Sequence, residues 1–284
     1  MTARRPFHSK TLTNMTEQVA LHKSTARLLH RLEELKRESA NLFNKRDEML
    51  TYEYPRLYSL YLTEIGQLKY EEFSLQTEVK ILSLRLSLIQ AYINSNKAPD
   101  FEAIEEQIRI EKENYQKILE EKMADIKAAK EYMAAPLMTP EESREMKAIY
   151  VLLVKKLHPD INPNQPERHK ELFLKAVAAY KTQDLATLRQ ILLMVDTDSV
   201  EDLPADTLED QIEKLEKTVE SIRQRIAELE ASFPFDLRDK IYNKEWVAEQ
   251  QNLLKESINA LTVKKQSLEQ ILMAYRSWKP ESLN

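Results

Sequence analysis

Apolar residues recur along this chain at alternating intervals of four and three, the spacing that lines one face of an α-helix and sustains a coiled-coil seam. Leu21, Leu28, Leu32, Leu35, Leu42 and Met49 keep that spacing, with Thr25, Ser39 and Arg46 in the slots between them. Pro55 interrupts or kinks the run, because it lacks an amide hydrogen and crowds the preceding turn. A second stripe follows at Leu68, Leu75, Val79, Leu82, Leu86, Ile89 and Ile93. The segment Asn94–Asp100 (NSNKAPD) reads as a turn. Asp100 is placed to cap the next helix, over Ala103–Met133, where Ile104, Ile108, Tyr115, Ile118, Ile126 and Met133 share a broad face. Two amphipathic helices joined by so short a loop are expected to lie antiparallel.

Ala135–Pro140 contains two prolines and reads as a linker. From there to Val195 the pattern changes to shorter helices around a proline-rich loop, and Asp196–Asp206 forms another polar break. The most regular stripe comes next: Leu208, Ile212, Leu215, Val219, Ile222, Ile226 and Leu229. Ser232–Asp236, around Pro234, predicts a reversal. The returning helix carries Val247, Leu254, Ile258, Leu261, Leu268, Leu272 and Tyr275, with Gln251 and Lys265 as polar interruptions. A period near 3.5 implies left-handed supercoiling. The expected architecture is all-α, with long antiparallel coiled-coil hairpins flanking a short helix hairpin. In order, it predicts an N-terminal helical arm (1–55), a coiled-coil hairpin (56–135), a compact helical module (139–195) and a second coiled-coil hairpin (207–278).

Composition narrows the chemistry. Gly66 is the one glycine among 284 residues, which excludes the glycine-rich loops that cradle phosphate in P-loop and Rossmann proteins. With no cysteine, disulfides, thiolate metal sites and cysteine nucleophiles are excluded as well. No metal or other cofactor is expected. The opening MTARRPFHSK has no apolar stretch behind its basic residues, so no signal peptide is read there. The longest apolar run, Ala148–Val154, is too short to span a bilayer. These features predict a cytoplasmic protein. A net charge of −5 disfavours nucleic acid and anionic membranes as partners. Arg4, Arg5, Lys10, Lys23, Arg27 and Arg31 make the first residues locally basic, read as a solvated face or frayed terminus.

The informative segment is Glu145–Ile191. Ile149, Tyr150, Leu153, Val154 and Leu157 form a helical stripe that must end near His158, since Pro159 disfavours helical backbone in the residue before it. Asp160, Asn162, Pro163 and Asn164 read as an exposed loop. Pro166 suits the first position of a second helix, with Phe173, Ala176, Val177 and Tyr180 on one side. The two helices would pack antiparallel and display the loop at their tip.

His158-Pro159-Asp160 at a helix end, with Tyr150 and Leu153 before it and Phe173, Ala179 and Tyr180 after it, resembles the J-domain of the DnaJ co-chaperone family. The resemblance covers some 50 residues. It implies docking on a DnaK-type ATPase chaperone and stimulation of its ATP hydrolysis, with no chemistry performed by this chain itself. Carried across, Asp160 would meet an arginine of the chaperone, His158 and Pro159 would frame it, and Lys155 and Lys156 would steer the encounter. Tyr150, Leu153, Leu157, Phe173, Ala176 and Tyr180 would be the module's core. The coiled coils would then bind client proteins, act as spacers or self-associate.

The departures from the family are specific. Its further basic residues after the helix tyrosine are replaced by Val151 and Leu152, which are therefore expected to be buried by a neighbouring helix, either from the N-terminal hairpin or from a second copy of the chain. Its first helix is not recognisable; the helix end near Tyr132, or another part of the chain, would have to replace it. The alternative reading is a coiled-coil scaffold whose J-like module no longer stimulates a chaperone. His169, like His8, His22 and His30, is read as an ordinary exposed histidine rather than a metal ligand. Tyr52, Tyr54, Tyr58 and Tyr61 are read as packing around Pro55, with a sticky partner surface as the alternative.

Overall fold

The computed structural model describes residues 9–135, 138–197 and 207–277, with side chains from Ser24 to Val195 and from Thr207 to Tyr275 within those spans. Arg4, Arg5 and His8, the side chains of Lys10, Leu21, His22 and Lys23, and the part of the expected break beyond Thr197 lie outside what is described. Among the described residues all regular structure is helical, and no helix is long and apolar enough to cross a membrane.

The elements are α1 (Ser9–Glu48), α2 (Tyr54–Tyr61), α3 (Gln67–Asn94), α4 (Phe101–Ala134), α5 (Pro140–Leu157), α6 (Glu167–Lys181), α7 (Leu185–Thr197), α8 (Leu208–Glu230) and α9 (Lys244–Ser277). Single π turns at Met49–Glu53 and Leu62–Gly66 join α1 to α2 and α2 to α3. Pro55 therefore does not end the helical run. In a π turn each carbonyl pairs five residues on, so an acceptor deprived of a proline amide can use the next donor.

Contacts divide the chain into two compact units, Met1–Glu53 with Leu137–Ser232 and Tyr54–Pro136 with Phe233–Asn284. In the first, α1 is the central helix, packed on α8 along one side and on α5 along another. Leu32, Leu35, Ser39 and Met49 of the expected stripe are buried, and so are Ala40, Phe43 and Asn44 off it. From α8 the seam receives Leu215, Val219, Ile222 and Ile226. Arg31 bonds Glu216 at 2.9 Å and Lys45 bonds Glu230 at 2.8 Å, each 185 residues apart, and Arg223 pairs with Glu38 at the same separation. A constant offset means that the two helices run parallel.

In the second unit α3 is central, between α4 and α9. Ile81, Ile89, Ile104, Ile108 and Leu272 form its main cluster. Arg85 forks onto Glu105 at 2.8 and 2.9 Å, and Tyr58 of α2 bonds Asp125 at 3.2 Å, so α4 runs opposite to α2 and α3. Ser257 donates to Glu72 at 2.6 Å, 185 residues away, and Gln251 to the Glu64 carbonyl at 2.8 Å, 187 away. Lys265 pairs with Glu78. The α3–α9 pair is thus parallel, and the two polar interruptions of the α9 stripe are residues that fix its register.

These pairings correct two expectations. The segment 207–278 is not one antiparallel hairpin: α8 packs on α1 in the first unit and α9 on α3 in the second. Nor is 1–55 a separate arm, since α1 is the centre of a unit that includes 139–195. A heptad stripe specifies an apolar seam without naming the helix that fills it.

Local signals set the helix ends. Asp100 accepts from the Ala103 amide at 3.0 Å and caps α4. Thr139 with Glu142, and Thr207 with Asp210, form reciprocal capping boxes for α5 and α8. Pro140 thus opens a helix rather than continuing a linker. Bonding to Thr139 holds the Glu142 carboxyl below the usual carboxylate range.

Candidate functional site

The site grows from the C-terminal end of α5. That helix stops at Leu157 because His158 takes an extended conformation, φ −67° and ψ 128°, ahead of Pro159. A helix end leaves carbonyls without intrahelical partners. Here Asn162 Nδ2 donates to the Lys155 carbonyl at 2.8 Å and Gln165 Nε2 to the Leu157 carbonyl at 2.7 Å. The His158 carbonyl accepts from the amides of Ile161 and Asn162 at 3.0 and 2.8 Å. The loop is therefore folded back onto the helix it terminates.

Two side chains anchor it. Ile161 is 2% exposed and His158 8% exposed. The imidazole stacks on Phe43 of α1 with ring centroids 3.6 Å apart and meets Phe173 of α6 edge-on at 4.8 Å. Its Nδ1 accepts the Asp160 amide at 3.1 Å, which requires an unprotonated nitrogen there. Burial, with the nearby Arg46 charge, lowers the His158 pKa to about 4, so the ring is neutral at physiological pH.

Between these anchors Asp160 is exposed, and its carboxylate has no hydrogen bond or ion pair among the described residues. It borders a cleft of about 360 Å³ whose other walls include Phe43, Arg46, Lys217, Ile222 and Arg225. The three cations there are partnered along their own helices: Arg46 with Asp47 at 2.6 Å, Lys217 with Glu213 at 2.6 Å and Arg225 with Glu228 at 3.1 Å.

The supporting core gathers the residues expected for it. Tyr150, Leu153, Leu157, Ala176 and Tyr180 are buried, and Phe173 is partly buried against His158. Tyr150 and Tyr180 stack with centroids 3.9 Å apart. The Tyr150 hydroxyl donates to Asp47 Oδ2 at 2.6 Å; burial, then the Asp47 charge, keeps that phenol well above its ordinary range and protonated. The Tyr52 hydroxyl donates to the Tyr180 carbonyl, and its ring meets Tyr180 edge-on at 5.1 Å. Arg189 of α7 forks onto Glu145 of α5 at 2.7 and 2.6 Å. The α5–α6 hairpin is thus closed on one side by α7 and on the other by the C-terminal half of α1 and the π turn after it.

Several expectations need correction. Among the described residues no helix of the same chain covers Leu152; it is 47% exposed, and Val151 is only partly buried. The α1 contacts fall on Lys147, Tyr150, Lys155 and His158, and at about 100° per residue Leu152 points well away from that face. Of the two replacements considered for the unrecognised first helix, it is another part of the chain that covers the surface, through Phe43, Asp47 and Tyr52, while Tyr132 is 38% exposed. His169 is buried rather than exposed, and Pro166 caps α6 from outside its first turn. Of the two lysines proposed to steer, Lys155 is bonded to Glu33 at 2.9 Å, while Lys156 is exposed.

Sequence reasoning missed Phe43, Asp47 and Gln165, and read Tyr52 as packing around Pro55 and Asn162 as plain exposed loop, without their partners Tyr180 and Lys155. Phe43 and Asp47 lie off the heptad stripe of α1, and Tyr52 lies in the π turn after it. The signal that could have found them is a second apolar line, Ala40 and Phe43, flanking Ser39 and Leu42. The described residues contain no grouping of three or more His, Asp and Glu able to hold a metal ion.

The chain matches no family model, no curated protein and no solved structure. The functional reading rests on the geometry above.

Proposed function

We propose that this chain is a J-domain-type co-chaperone that docks on a DnaK-type ATPase through His158, Pro159 and Asp160 and stimulates ATP hydrolysis by that partner. The observation that carries the reading is the Asp160 carboxylate, exposed and without an internal partner, on a loop whose neighbours His158 and Ile161 are buried. A fixed carboxylate suits an arginine, whose planar guanidinium binds carboxylates bidentately and with charge assistance. Neutral His158 and buried Ile161 hold the backbone, so little conformational entropy remains to be lost on docking. Lys156 and Lys155 lie on the helix leading into the loop, the place where basic residues would meet an acidic partner surface. The chain performs no chemistry and needs no cofactor in this reading. It acts in the cytoplasm, without nucleic-acid or membrane partners, and the long paired helices serve as coiled-coil spacers, client-binding surfaces or sites of self-association.

The test is steady-state ATP turnover by a DnaK-type chaperone with and without the full chain, repeated with Asp160→Asn. Stimulation by the wild type and none by the variant is the expected result. Absence of stimulation by the wild type, or equal stimulation by both, overturns the reading.

A second reading, a coiled-coil scaffold with a non-stimulating J-like module, is favoured by two observations. Leu152 presents an apolar side chain where the resemblance implies a cation, and Lys155 is engaged by Glu33. Recovery of partner proteins but no chaperone in affinity capture would support it.

A further inference from the structure

The module that carries the loop has one apolar face that no described helix of the chain covers. Tyr150 meets Tyr180 and His158 meets Phe173, so α6 runs opposite to α5. Residues 182–184 turn the chain again, and α7 packs on both helices in the direction of α5. The fork of Arg189 on Glu145 sets the register of this parallel pair at 44 residues. Leu193 is therefore level with Ile149 and lies one turn beyond Arg189 on the same side of α7. Leu152 lies two turns beyond Glu145 on the same side of α5. Both present large apolar side chains to water, Leu152 at 47% and Leu193 at 69% exposure. Exposed aliphatic residues that adjoin one another mark contact surfaces more often than scattered ones do.

The order of residues along this face indicates its occupant. Glu141, Glu145, Ala148, Leu152 and Lys156 follow at intervals of four, three, four and four, and all are exposed. The line thus begins in acid, passes through a small and then a large apolar residue, and ends in base. Reversed, it complements itself. Against a second α5 running the opposite way and centred near Tyr150, Leu152 of each copy is level with Ala148 of the other. Lys156 then comes level with Glu145 to within one residue.

Shape and charge agree in that register. Ala148 leaves a gap between the longer side chains of Glu145 and Leu152, and Leu193 stands beside it on α7, a hole suited to a leucine knob. Glu145 keeps its fork with Arg189, yet a carboxylate offers about four acceptor sites and can take an ammonium as well. Antiparallel helices also place each acidic first turn beside a basic last turn: Glu141 and Glu142 open α5, and Lys155 and Lys156 close it. One patch that supplies knob, hole and both charges is the requirement of a two-fold contact, in which a surface meets its own copy.

We infer that the α5–α7 face binds a second copy of this chain across a two-fold axis near Tyr150, with the two α5 helices antiparallel. The contact uses neither of the long seams around α1 and α3, and it stands apart from the chaperone reading, because its test contains no ATPase. Two leucines per copy make a small interface, so the dimer is a reversible one.

Sedimentation velocity of the full chain over about a hundredfold range of concentration should show a monomer–dimer equilibrium. Leu152→Glu and Leu193→Glu should each weaken the dimer at least about tenfold, since a two-fold contact receives every substitution twice and a carboxylate would be buried unpaired. Ala148→Trp should weaken it similarly by filling the gap. Leu174→Glu, at a leucine of α6 that is 68% exposed, should leave it unchanged. Circular dichroism checks that each variant keeps its helix. Lys156→Glu should weaken the dimer about fivefold in dilute buffer and not at all at about 1 M salt, where exposed pairs are screened. A monomer at every concentration, or equal weakening by Leu152→Glu and Leu174→Glu, overturns the inference. A Lys156→Glu effect that salt does not remove would overturn the antiparallel register.

Discussion

The two units share one plan and differ in what they do with it. Each has a long central helix, α1 or α3, and each central helix takes a parallel partner from the C-terminal part of the chain. The offset of 185 residues recurs in both, at Arg31–Glu216 and at Ser257–Glu72. The units differ on the other face of the central helix. Against α1 stands a cluster of short helices whose rings stack closely, Phe43 on His158 and Tyr150 on Tyr180, so the surface product is a loop with one exposed carboxylate. Against α3 stands one long helix, α4, and the aromatic residues near its C-terminal half wall a cavity. In the first unit the stacked rings fix a loop, whereas in the second Tyr58 and Tyr61 meet Phe233 edge-on and a cleft remains beside them.

The comparison can be broken most severely at Tyr150. Tyr150→Ala removes a fully buried ring and one of the two partners of Asp47, and should cost about 3–5 kcal/mol, the usual range for truncating a core aromatic residue. Hydrogen exchange should show protection lost in α5–α7 while α3, α4 and α9 keep theirs; uniform loss would mean that the units are not separately stabilised.

Acid should act next most strongly, and through the first unit. His158 titrates near 4 when folded and near 6.5 otherwise, so its contribution to stability is complete above pH 6.5 and is lost as pH falls toward 4. The full loss is at most about 3 kcal/mol, from the value of one pKa unit. Urea unfolding followed between pH 7.5 and 4 should show this slope in the wild type and a shallower one in His158→Gln.

A smaller effect, of opposite sign, is expected in the α1–α8 seam. Ser39 is fully buried there and its hydroxyl has no hydrogen-bond partner. Ser39→Ala should stabilise the protein by about 1 kcal/mol, since an unsatisfied buried hydroxyl is removed. An unchanged or lowered denaturation midpoint would show that the hydroxyl does have a partner. The smallest effect belongs to the surface pairs that record the register. Lys45→Ala should leave the thermal midpoint indistinguishable from wild type, because exposed ion pairs are screened and entropically costly.

Much of this architecture was legible before any coordinates. Near-absence of glycine and the 4-3 spacing required an all-helical chain, and Pro159 required α5 to stop where it does. The core residues Tyr150, Leu153, Leu157, Ala176 and Tyr180 followed from helical spacing alone. What the sequence hid was partnership. Gln251 and Lys265 looked like flaws in a seam, yet they bond Glu64 and Glu78 of a helix far away in the chain. Periodicity is local, and no local signal says which of several similar stripes will meet. The loop was half legible: its tripeptide stood out, but Asn162 and Gln165 were hidden because their role depends on where the α5 carbonyls point. Leu152 finds no covering helix among the described residues of the chain because α1 packs on a different face of α5.

The 185-residue offset has a consequence during synthesis. When α1 and α3 leave the ribosome, the helices that complete their seams have not yet been made. At about 5–20 residues per second, roughly 10–40 s pass before each partner emerges. For that interval α4 can already cover Ile81 and Ile89, whereas the α1 face that meets α8 has no partner until translation reaches the final third of the chain.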